Sequence, residues 1–150
     1  MTNKPTVVAA LLLSATLLAS PLAGAVDSYF DGKDPLLCTI QRVYQCEIGA
    51  ACGKVSREEI GAARNLAINF KHKQVTRIGG EDTRVSDIDN VEIIDDKLVL
   101  QGIEDGAESE RDGGGWTLSI TDPEGEMTLT VSGHAVAFVG LGHCAPIPTK

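Results

Sequence analysis

Few side chains in this chain could act as nucleophiles, bases or metal ligands: three histidines, His72, His134 and His143, and four cysteines, Cys38, Cys46, Cys52 and Cys144. His143 beside Cys144 is the pair from which a thiol–imidazole centre would be built. A nucleophilic cysteine must be a free thiolate, whereas an exported chain with an even number of cysteines oxidises them in pairs. The cysteines therefore read as structural. His134 follows the Ser132-Gly133 turn and His72 lies between two lysines, positions that suit solvated side chains. Seven, five and ninety-one residues separate successive cysteines, with no CxxC and no HExxH, so no metal and no cofactor is expected. The acidic run from Glu104 to Asp112 lacks the alternating carboxylate spacing of a calcium loop and reads as a solvated charge run. No serine stands in a G-x-S-x-G setting and no glycine-rich phosphate loop is present, so the chain is expected not to be an enzyme.

The surroundings of these residues set the address. Lys4, the apolar run from Val7 to Ala19 and the small residues Ala23-Gly24-Ala25 form the pattern of a secretory signal peptide, residues 1–25, with maturation at Val26. The apolar run is interrupted by Ser14, Thr16, Ser20 and Pro21 and falls short of the ~20 residues of a membrane span. An exported protein, periplasmic or extracellular, is expected. Without Lys4 the basic count falls from 13 to 12 against 21 acidic residues, a net charge of −9. Such a surface repels nucleic acid and anionic lipid, because affinity for phosphate comes from lysine and arginine. A basic protein partner, or solubility alone, suits it.

Residues 26–35 hold turn formers without periodicity and read as a flexible N-terminal arm, and residues 36–150 as a single domain. Within it, strands are expected near 36–46, 65–71, 74–79, 90–95, 97–103, 115–121 and 126–132, mostly marked by period-two alternation, with a last strand near 135–144; a short extended piece near 83–88 would be a ninth if it is a strand. In the first of these, Cys38 and Cys46 share one parity and so one face. On the return strand after Lys71-His72-Lys73 the inner side is taken by Thr76 and Ile78 or by Val75. Ile93, Ile94, Leu98, Leu100 and Ile103 are candidate core residues of the hairpin about Asp95-Asp96. Ser56 and Glu59 have capping-box spacing, enough for one or two helical turns at most. Short links between strands of this kind make an antiparallel meander. The expected fold is all-β, a small up-and-down barrel of about eight strands stapled by two disulfides, with a β-sandwich as the alternative.

The two disulfides are expected to join Cys38 to Cys144 and Cys46 to Cys52. First and last strands of a closed meander meet antiparallel, which brings the start of one beside the end of the other. Cys38 with Cys46 would span roughly 26 Å along one strand and is excluded by length. Cys38 with Cys52 and Cys46 with Cys144 requires the first strand to run the other way along the seam.

Trp116, the single tryptophan, and Phe138 read as core anchors or as walls of a ligand pocket, depending on whether the interior is filled. The last strand is apolar on both parities. Its outer side, Ala135, Ala137, Val139 and Leu141, is expected to need cover from the arm, from a second copy or from a partner. Trp116, Phe138, Val139 and Leu141 are accordingly the candidate contacts with a ligand or partner.

A leader, about eight antiparallel strands and a late cysteine tied back near the start resemble the small periplasmic barrels of bacterial lysozyme inhibitors. The likeness is one of layout. Ser132-Gly133 is followed by His134-Ala135-Val136 and Trp116 by Thr117-Leu118-Ser119, where that family has an aromatic residue and a Trp-x-Lys-Gly stretch, so no site residue carries over. The functional expectation is an exported, non-enzymatic binding or inhibitory module acting on a periplasmic or secreted protein. The alternative is a calycin-like carrier of a small apolar ligand. A hydrolase using His134 or His143 is the third and weakest reading.

Overall fold

A computed structural model describes residues 28–80, 83–104 and 113–148. The proposed leader and most of the acidic 104–112 run lie outside these residues. The described chain is all-β and contains no helix. Its ten strands are β1 (Leu36–Glu47), β2 (Gly53–Val55), β3 (Asn65–Asn69), β4 (Gln74–Ile78), β5 (Val85–Asp87), β6 (Asn90–Ile94), β7 (Lys97–Glu104), β8 (Gly114–Thr121), β9 (Glu126–Ser132) and β10 (Val136–Pro146). All pair antiparallel in one curled sheet of order β5-β4-β3-β1-β10-β9-β8-β7-β6, with β2 on the far half of β1. Neighbours in the sheet are consecutive in the chain except at β1, which pairs β3 past the short β2 and pairs β10 in the ladder that joins the two ends of the domain.

Turn chemistry explains the hairpins. Lys73 and Asp95 take positive φ at the β3–β4 and β6–β7 reversals, and Gly125 does so between β8 and β9, where a Cβ would collide with the Cys144 carbonyl oxygen. Ser56 and Glu59 exchange both capping-box bonds, 2.8 Å from Ser56 N–H to the carboxylate and 3.2 Å from Glu59 N–H to the hydroxyl. The chain nevertheless turns through 57–61 without becoming a helix. Nothing extends the nucleus, because Gly61 follows at positive φ.

One irregularity in β1 reorganises the faces. The β1–β10 register shifts between Ile40 and Arg42, so a bulge at Gln41 puts both Ile40 and Val43 in the core. Beyond the bulge the parity is inverted. Cys38 is buried whereas Cys46 is not, which corrects the expectation that they share a face. Cys38 bonds Cys144, its direct ladder partner, and Cys46 bonds Cys52. Both pairings are those expected.

The core occupies the concave side. Leu36, Cys38, Ile68, Leu98, Leu100, Leu118, Ile120 and Cys144 are essentially without exposure, and Met127 joins them. Residues 28–35 form no strand, yet the segment is anchored: Phe30 is 4% exposed and packs within this cluster. Of the five hairpin candidates only Leu98 and Leu100 are internal. Ile93, Ile94 and Ile103 are 59%, 52% and 67% exposed. All five β6 residues are exposed, because β6 leaves the curl after Ile88 and pairs only with β7. On β4 it is Val75 that is buried, while Ile78 faces solvent.

Candidate functional site

The two ends of the curl are filled differently. Along β7 the inward residues are Leu98, Leu100, Gly102 and Glu104; along β8 they are Ile120, Leu118, Trp116 and Gly114; along β10 they are Cys144, Gly142, Gly140 and Phe138. Large apolar side chains close the disulfide end, and glycine and charge replace them at the other. A cavity of about 460 Å³ opens there, lined by Ile40, Val43, Leu66, Val75, Trp116, Leu118, Leu129, Val131 and Phe138, with Gly114 and Gly140 in its wall. A water molecule's share of liquid volume is ≈ 30 Å³, so the space is far larger than a few waters need.

Trp116 forms one wall. Its ring lies over Gly102, where any Cβ would collide with the indole and with the Asp87 carbonyl oxygen. That close approach explains why β7 interrupts its inward leucines with glycine. Trp116 is 8% exposed, and its indole N–H finds no hydrogen-bond acceptor among the described residues. An orphaned buried donor costs about 1–3 kcal/mol.

At the mouth, four polar side chains meet across the seam where β4 and β5 face β7. The Arg77 and Arg84 guanidinium groups donate to the same Glu104 oxygen, Oε1, at 3.3 and 3.4 Å, and the Ser86 hydroxyl donates to Oε2 at 3.3 Å. Arg77 also donates to the Gly61 carbonyl oxygen at 3.4 Å. The two arginines and Glu104 are between 26% and 35% exposed, and Ser86 is buried. These residues stand in phase with the core: Arg77 follows Val75 by two, Arg84 and Ser86 precede Ile88 by four and two, and Glu104 follows Leu100 and Gly102. Inward parity carried past the apolar core to the strand end was the sequence signal for this cluster. The 83–88 segment, only a short extended piece by sequence, gives no inner side on which Arg84 and Ser86 could be placed.

The four candidate contact residues separate into two groups. Trp116 and Phe138 line the cavity, whereas Val139 and Leu141 lie on the other parity, facing outward. Val139 and Leu141 are half-buried, flanked by Tyr44 and Arg42 on β1 and by Thr130 and Thr128 on β9. Their shelter is thus lateral, from side chains of the same sheet. Ala135, at positive φ in the turn before β10, is exposed. His72, His134 and His143 are all exposed, and none lines the cavity. The chain matches no family model, no curated protein and no solved structure.

Proposed function

We propose that this is an exported, non-enzymatic binding protein that holds a small, mainly apolar ligand within its curled sheet. The observation that carries the reading is the cavity: about 460 Å³, within the 300–1,000 Å³ of ligand sites, walled by aliphatic side chains, Trp116 and Phe138, and bearing a few polar groups at its mouth. Disulfides between Cys38 and Cys144 and between Cys46 and Cys52 suit the oxidising compartment that export would provide. Since Trp116 is the single tryptophan, intrinsic fluorescence reports on the site directly. Titration of the chain from Val26 onward with n-decanol should shift Trp116 emission saturably. Gly140→Val, which projects a side chain between Ile40 and Leu129, should weaken that response without unfolding the protein. An unresponsive Trp116 in a folded wild-type chain would refute the reading.

A second reading, a module that binds an exported protein, is favoured by one feature. Val91, Ile93 and Ile94 are exposed on β6, an edge strand with one free side, which is the geometry for adding a partner's strand. Affinity capture from the exported fraction with wild-type and Ile93→Lys/Ile94→Lys baits tests it. A partner retained equally by both baits would contradict the edge as the contact.

A further inference from the structure

Resting on the cavity reading above, the geometry points to a ligand of one chemical class: we infer that the site takes an amphipath with a single anionic head group, a carboxylate in the simplest case. Its head would lie against Arg77 and Arg84 and its aliphatic body along Trp116.

Three observations carry this. Among the described residues Arg77 and Arg84 share one Glu104 oxygen, so these two cations are matched by one carboxylate; Glu81 and Asp82, which precede Arg84 in the chain, lie outside the described residues. Each guanidinium has five N–H donors, and among the described residues Arg77 uses two hydrogen bonds and Arg84 one, at 3.3–3.4 Å. Donors therefore remain for a second carboxylate, which arginine binds in forked geometry. Trp116 adds an unpaired donor in the same wall, one inward position along β8 from Gly114, the ladder partner of Glu104.

The shape agrees with the charge. From Gly114 at the mouth to Leu118 in the wall is four residues, roughly 13 Å along a strand, and the lining between is apolar. An aliphatic chain of medium length fits that run with its head at the arginines. The connection from 105 to 112, outside the described residues, carries Asp105, Glu108, Glu110 and Asp112 with Arg111. A cationic amphipath is therefore the competing head-group chemistry, and the test includes one.

The experiment compares decanoate, n-decanol and decyltrimethylammonium at neutral pH, reading Trp116 fluorescence and, independently, calorimetric heat. Decanoate should bind about tenfold or more tighter than decanol, the gain of charge-assisted hydrogen bonds. Arg84→Gln, which removes one contact at the rim, should narrow the ratio of decanoate to decanol affinity towards one. Arg77→Gln should do the same, with thermal melting to confirm its fold. Equal binding of decanoate and decanol, or tightest binding of decyltrimethylammonium, would overturn the anionic assignment while leaving the cavity reading in place. Binding of none of the three would sink both.

Discussion

Removing the Cys38–Cys144 disulfide tests the seam on which the fold closes. The bond joins residues 106 apart in sequence, whereas Cys46–Cys52 joins residues 6 apart. In the chain-entropy account, a cross-link restricts the unfolded chain by an amount that grows with the logarithm of loop length. The long loop then contributes about 4.8 kcal/mol and the short one about 2.4 kcal/mol at 25 °C. Both variants should replace the cysteines by alanine, because Cys38 and Cys144 are buried and serine would leave two hydroxyls without water. With a urea m-value of about 1.5 kcal/mol/M, the midpoint should fall by about 3 M for Cys38→Ala/Cys144→Ala and by about 1.6 M for Cys46→Ala/Cys52→Ala. Packing lost with the buried sulfurs adds to the first figure only. Urea unfolding of the oxidised wild type and both double variants, followed by far-UV circular dichroism, measures the difference. If the short-loop pair cost as much as the long-loop pair, the loop-entropy argument would be wrong; if the long-loop pair cost nothing, the β1–β10 ladder would be holding the seam without help from the bond.

Gly102→Ala should lower stability by about 1–3 kcal/mol, because its Cβ meets the Trp116 ring and the Asp87 carbonyl oxygen; a thermal melt would show it, with a change in Trp116 emission. Phe30→Ala should cost about 3–5 kcal/mol in urea unfolding, since the ring is buried in the core; a change under 0.5 kcal/mol, as expected of ordinary surface positions, would mean that the arm is not anchored. Hydrogen bonds from Ser56, the backbone N–H foremost, hold the Glu59 carboxyl below its usual range. Its contribution to stability is therefore present above the unfolded carboxylate pKa and is lost as pH falls through the folded value; Glu59→Gln should remove that part of the acid dependence of the melting temperature.

What could be read in advance follows from how each feature leaves its mark on a chain. Alternation over five or more residues is a repeated signal, and the strands around Leu118, Leu129 and Leu66 show it plainly. The disulfide map followed from meander geometry and strand length, both insensitive to side-chain detail. By contrast, β2 has three residues, Gly53-Lys54-Val55, too few to display a period. The bulge at Gln41 left no mark because both parities of β1 carry apolar residues, so the switch of face near Arg42 cost the pattern nothing. Ile93 and Ile94 misled for the opposite reason. They have strand propensity, but burial is decided by whether a strand stays with the curl, and β6 leaves it.

The cavity itself was written in a contrast between strand ends. A strand crossing the interior presents every second residue inward, so the filling of a small barrel is set by the sizes along that parity. On β7 the inward order is leucine, leucine, glycine, glutamate; on β8, read in the same spatial direction, it is isoleucine, leucine, tryptophan, glycine. At one rung Gly102 faces Trp116, and their sizes compensate, so the ring can lie where a second side chain would have stood. One rung further, Gly114 pairs with Glu104, and nothing apolar fills the space on either strand. Gly114 admits no side chain, because its Cβ would meet the Ser132 carbonyl oxygen, so the choice lies at Glu104, where hydrophobic burial alone would favour a valine or leucine, worth ≈ 1.5–3 kcal/mol when fully buried. Forgoing that stabilisation while placing Arg77, Arg84, Ser86 and Glu104 on the same inner parity is unfavourable for folding alone. A ligand that fills the apolar space and meets the charge would return it, so the emptied end is where function and stability are expected to be coupled.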